Sequence, residues 1–103
     1  MIVKSYKKRS DGTFGVRIDY ADRDRHFSPE WDAVDIEIDG TLHRFEIRAT
    51  FWKTCPEFCG PAVKEWLFRN NRGVWDKGKP HPLLLLPAGG QRFRLSLPPE
   101  SGQ

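Results

Sequence analysis

The chain has 103 residues, a mass of 12.0 kDa and a net charge of +3, with 38% hydrophobic, 30% charged and 13% aromatic residues. That length holds one hydrophobic core and no second domain, and the aromatic share excludes a disordered chain, because Phe, Trp and Tyr supply the burial a small core needs. The longest aliphatic run, Leu83 to Leu86, falls far short of the ~18 apolar residues of a membrane-spanning helix, so no membrane partner is expected.

The first predicted element is a hairpin from Ile2 to Tyr20. Phe14, Val16, Ile18 and Tyr20 alternate with Gly15, Arg17 and Asp19, the period of a half-buried strand. The turn is Ser10-Asp11-Gly12. A three-residue loop with Gly12 in the left-handed region sets Tyr6 opposite Val16 and Ile2 opposite Tyr20, which brings the apolar residues together. Residues 21–32 read as a charged connection without period.

The second hairpin carries the strongest local signal. VDIEIDGTLHRFEIRA alternates on both sides of Asp39-Gly40. A two-residue type I′ turn pairs Ile38 with Thr41, Ile36 with His43 and Val34 with Phe45 on one face, and Asp35 with Arg44 on the other. Further on, Thr54-x-x-Glu57 fits a capping box, so one short helical turn is expected there before Pro61 interrupts it. A longer helix then spans about Pro61 to Asn71. Pro61 is its first-turn proline, Gly73 its stop, and Val63, Trp66, Leu67 and Asn70 its buried stripe.

Residues 74–82, VWDKGKPHP, form a loop rich in Lys, Gly and Pro. The last hairpin runs through the four leucines, turns at Pro87-Ala88-Gly89-Gly90 and returns with Phe93, Leu95 and Leu97 inward and Arg92, Arg94 and Ser96 outward. The leucine run suggests a strand covered on both faces. The domain is expected to occupy 1–97, with 98–103 a frayed tail. The whole reads as α+β: about six antiparallel strands in a curved sheet or partly open barrel with one packed helix, in the order ββ-ββ-α-ββ.

Several chemistries are weighed and set aside. Cys55 and Cys59 are too few for a secreted disulfide framework, and MIVKSYKKRS lacks the apolar core of an export signal, so a reducing, cytoplasmic compartment is expected. Placed at i and i+4 on a helical turn, the two sulfurs would share a face and pair on oxidation. With His26, His43 and His81 they do not make the four organised ligands of a structural zinc site, and no metal or cofactor is expected. His43 reads as a half-buried side chain without a nucleophile beside it. Asp35, followed by Glu46-Ile47-Arg48, resembles the acidic pattern of restriction-type nucleases. Its lysine position holds Arg, a poor proton donor or acceptor at neutral pH, which leaves a metal-dependent nuclease as a distant third reading. Phosphate loops, dinucleotide glycine patterns and nucleophile elbows are missing from the sequence.

The remaining signal is charge. Residues 1–52 carry nine Lys/Arg against ten Asp/Glu, and residues 53–103 eight against four. Arg69, Arg72, Trp75, Lys77, Lys79, Arg92 and Arg94 would lie at a helix end, on a loop and on the outward face of a hairpin. Cations that contact phosphate beside an aromatic that stacks a base make a nucleic-acid surface. The function expected is therefore a non-enzymatic binding module, with DNA or RNA as its partner. The alternative is a protein-interaction or self-assembly module.

Overall fold

The alternation at 33–46 closes as the expected hairpin, and the remaining strands assemble outward from it. The computed structural model describes residues 1–99. Its elements are β1 (Ile2–Lys7), β2 (Phe14–Arg17), α1 (Tyr20–His26), β3 (Ala33–Ile38), β4 (Thr41–Glu46), α2 (Ala49–Lys53), β5 (Glu57–Cys59), α3 (Pro61–Arg69), β6 (Pro82–Pro87) and β7 (Arg92–Ser96). The seven strands form one nearly closed, barrel-like sheet in the order β4-β3-β7-β6-β1-β2-β5. Of the expected tail, residues from 100 onward lie outside the described residues. None of the described helices is long and apolar enough to cross a membrane.

The fold is α+β, and it departs from the expected all-antiparallel arrangement of six strands in two ways. β3 and β7 run parallel, with Asp35 opposite Arg92 and Glu37 opposite Arg94. A parallel pair needs only a long connection between its strands. Here the connection passes through five other elements, so the missing β-α-β alternation did not forbid it. The seventh strand, β5, is three residues long and pairs with β2 through Gly15–Cys59, Val16–Phe58 and Arg17–Glu57.

The β3–β4 register is the one the sequence predicts, including Asp35 opposite Arg44, and both turn residues have positive φ (Asp39 52°, Gly40 82°). The β1–β2 register is not. Ser5 lies opposite Val16 and Tyr6 opposite Gly15, because Lys8 and Thr13 bond across a four-residue loop, one residue longer than expected. A one-residue slip exchanges the faces of a strand. Val3 and Ser5 therefore point inward, while Ile2 and Tyr6 point outward. Ser5 tolerates burial because its hydroxyl accepts from the His81 N–H at 2.8 Å and its own N–H reaches the His81 carbonyl at 2.9 Å.

Three local assignments also change. The charged stretch after Ile18 contains α1, which buries no side chain of its own. It is held by Arg23, whose Nη1 donates to the carbonyls of Phe51 and Trp52 at 3.4 and 2.9 Å and whose guanidinium lies 5.1 Å from the Trp52 ring. The helical turn expected to start at Thr54 instead ends there. α2 is capped by Thr54, whose hydroxyl donates to the Thr50 carbonyl, and Pro56 disfavours a helical Cys55 just before β5. α3 starts at Pro61 as predicted and buries Val63, Trp66 and Leu67, but it ends at Arg69, two residues short, with Asn70 as its half-buried C-cap. Its stop is Asn71, at φ 58°, rather than Gly73, whose missing side chain leaves room for the Phe68 ring.

The core is continuous from strand to helix. Val3, Val16, Ile36, Leu83, Leu85 and Phe93 are sealed inside the sheet, and Phe27 stacks on Phe93 at a centroid distance of 4.8 Å. The leucine run is covered on one face only: Leu83 and Leu85 are buried, Leu84 is half-buried and Leu86 is exposed.

Candidate functional site

A sheet that almost closes leaves two edges, and in this chain they are β4 and β5. The hydrogen-bond alternation says which groups each edge presents. In an antiparallel ladder, bonded and non-bonded pairs alternate. On β4 the two-residue turn makes Ile38–Thr41 a bonded pair, then Ile36–His43 and Val34–Phe45, and the Ile47 N–H to Asp32 carbonyl bond at 2.8 Å continues the series. The backbone N–H and C=O groups of Leu42, Arg44 and Glu46 therefore point into the seam. On β5 the bonds Gly60 N–H to Phe14 carbonyl (3.0 Å) and Ile18 N–H to Pro56 carbonyl (2.8 Å) flank the bonded pair Val16–Phe58. That leaves the backbone groups of Glu57 and Cys59 facing the seam.

The seam is bridged by side chains rather than by a ladder. Phe45 and Phe58 meet across it at 5.7 Å between ring centroids. At one end α2 connects the two edges; at the other α3 packs against both β2 and β3, and Arg69 pairs with Asp39 in the β3–β4 turn. Between these ends lies a cleft of about 580 Å³, within the ~300–1,000 Å³ range of ligand-holding clefts. Phe45, Phe51 and Phe58 line it together with Lys8, Arg44, Arg48, Glu46 and Glu57, and both cysteines face it.

Gly15 shapes one wall. A Cβ there would stand 2.3 Å from the Phe58 carbonyl oxygen and 2.5 Å from Cys59 Sγ, so only glycine lets β5 lie against β2. The same bare position opens the space beside Tyr6, its register partner. Arg17 spans this wall, lying 4.0 Å from the Tyr6 ring centroid and 3.1 Å from Glu57 Oε2. Burial pushes the Cys59 thiol up to about 11, with Glu57 adding to the shift. Burial, then the Glu57 carboxylate, likewise raises the Tyr6 hydroxyl.

The helical turn that would set Cys55 and Cys59 on one face does not form: α2 ends at Lys53, and Cys59 lies in β5. Both thiols are free and half-buried.

The structure places the seven residues of the basic and aromatic cluster in separate settings. Arg69 is ion-paired to Asp39, and Arg94 to Glu37 at 2.8 Å. Arg72 turns back to donate to the Asn70 carbonyl at 3.0 Å, closing the end of α3. Trp75 is half-buried, edge-on to Phe14 at 6.0 Å and to His81 at 6.1 Å. Lys77 and Lys79 are exposed on the loop before β6 and carry no ion pair among the described residues. Arg92 is exposed at the far end of β7, opposite Asp35. The strand from Pro82 to the turn at Ala88 puts roughly 20 Å between that loop and Arg92 at ~3.3 Å per residue.

Asp35, Glu37 and Glu46 share the outward face of the sheet, with Glu37 engaged by Arg94 and Glu46 by Arg48 at 3.6 Å. His43 is half-buried in the wall of the sheet. Among the described residues, no group of three or more His, Cys, Asp or Glu comes together in a metal-holding arrangement. No protein-family model, curated protein or solved structure matches the chain.

Proposed function

We propose that this chain is a non-catalytic binding module whose partner is another polypeptide, taken up in extended form at the seam between β4 and β5. One observation carries the reading. Two strand edges face each other without a backbone ladder, on either side of a cleft floored by Phe45, Phe51 and Phe58. Unpaired edges template a further strand. In strand addition the main chain supplies affinity, and the pockets beside it supply choice. The edges are short, as natural edges are kept, so a modest and reversible affinity fits them better than permanent assembly.

Nucleic-acid binding is the second reading. Its support is narrower than the sequence implied: Lys77 and Lys79 remain unpaired among the described residues, beside Trp75. Phosphate contacts weaken steeply with salt, whereas an extended peptide bound through backbone and apolar contacts does not.

The test is selection of a displayed random-peptide library on the wild-type protein and on Glu46→Pro. Proline removes one seam-facing N–H while leaving the β3–β4 ladder intact, as edge positions allow. Peptides enriched on the wild type and lost on Glu46→Pro support the seam. Enrichment indifferent to Glu46→Pro, together with salt-sensitive binding of labelled oligonucleotides that Lys77→Glu abolishes, favours the second reading.

A further inference from the structure

We infer that the seam selects for extended segments in which acidic side chains alternate with apolar ones. The inference rests on the strand-addition reading and adds the chemistry of the occupant.

A strand laid along β4 projects its side chains alternately to the two faces of the sheet. One set turns toward the aromatic floor made by Phe45, Phe51 and Phe58, where only apolar groups recover what they lose by leaving water. The other set turns outward among the charged residues of the rim. That rim holds Lys8, Arg44 and Arg48 against Glu46 and Glu57. Both carboxylates are already engaged, Glu46 by Arg48 at 3.6 Å and Glu57 by Arg17 at 3.1 Å. Lys8 and Arg44 carry no ion pair among the described residues. Arg44 also belongs to an edge residue whose own backbone groups face the seam, so a carboxylate docked on its guanidinium is brought into place by the same ladder that holds the main chain. A lysine in that position would meet the like charge of Arg44, to which neither its register partner Asp35 nor Glu46 is ion-paired among the described residues. Opposed potentials suppress wrong partners more strongly than matched ones add affinity, so the selection is against basic segments as well as for acidic ones.

Three blocked heptapeptides test this on the intact chain: valine alternating with glutamate, with glutamine, and with lysine. Binding is read by amide chemical shifts, which report affinity and location together. The expected result is shifts at residues 42–46 and 57–60, with the glutamate peptide at least tenfold tighter than the lysine peptide and the glutamine peptide between them. Arg44→Glu with Lys8→Glu is expected to reverse that order. Arg44→Gln, a milder change, is expected to level it. Raising salt is expected to shrink the gap and leave the glutamine peptide nearly unmoved. Equal binding of all three peptides at the seam would overturn the acidic preference while strand addition stood. Shifts elsewhere, or none at low millimolar peptide, would overturn both. An order that survives Arg44→Glu with Lys8→Glu would also overturn the assignment of these two residues as selectors.

Discussion

The two sides of this barrel are held together by different forces. On the closed side, β3, β7, β6 and β1 are joined by continuous ladders over Ile36, Phe93, Leu85 and Val3, all almost fully buried. On the open side, β4 and β5 are joined by one aromatic contact, by α2 below, and by α3 with a surface ion pair above. Ladders and sealed aliphatics tolerate no partner. Rings and exposed ion pairs shift at little cost, because each contributes modestly and none constrains the backbone. Stability is concentrated on one side of the sheet and adaptability on the other.

The contrast is open to attack from its stable side first. Leu85→Ala removes a fully buried side chain between β1 and β7 and is expected to cost about 2–5 kcal/mol, a large part of the stability of a small domain. Denaturant unfolding with the slope unchanged checks it, and an unmoved midpoint would show that the closed side is not the source of stability. Gly15→Ala comes next. Its methyl meets backbone of β5, and overpacking of that kind costs about 1–3 kcal/mol. Here the loss is expected to be local: β5 amides lose protection while those of β6 and β7 keep theirs. Arg69→Ala, which deletes the ion pair across the top of the seam, is expected to cost less than ~1 kcal/mol, since both partners are exposed.

Alkaline pH separates the two sides in another way. The Cys59 thiol is raised from 9.0 to about 11 by burial. Between those values the unfolded chain has lost a proton that the native chain keeps, so stability is constant below the lower value and falls as pH rises through the window. Cys59→Ala is expected to flatten that fall. In the same window the rate of alkylation of Cys59 should climb, because only the thiolate reacts. A pH dependence unchanged in Cys59→Ala would show that the wall beside Gly15 is looser than described.

How much of this was legible depended on whether the deciding interaction was local. The β3–β4 register was readable because Asp39-Gly40 fixes the turn and both strand faces agree with it. In β1–β2, apolarity favours Ile2 and Tyr6 as inward residues, and the structure turns both outward. The side chain that faces inward is Ser5, whose polar group is satisfied by His81, 76 positions away. Tyr6 faces outward and packs on Arg17. α1 has no apolar stripe, so periodicity is silent. Its signal was electrostatic, with Asp22 in the first turn and Arg25 and His26 in the last, which suits the helix dipole.

Density along the chain singles out the basic cluster. Density does not reveal that Asp39 and Glu37 wait for Arg69 and Arg94 from 30 and 57 residues away. The seam itself was invisible, since which strands become edges is a property of the whole topology.

Amide hydrogen exchange along β4 tests the central claim most directly. Leu42, Arg44 and Glu46 alternate with His43 and Phe45 on one strand, so the comparison is internal and differences in global stability cancel. In the free protein the three seam-facing amides are expected to exchange quickly while those of His43 and Phe45 stay protected, and the valine–glutamate peptide is expected to slow the three. Equal protection of both sets without any peptide would mean that the seam is already closed, and would contradict the account.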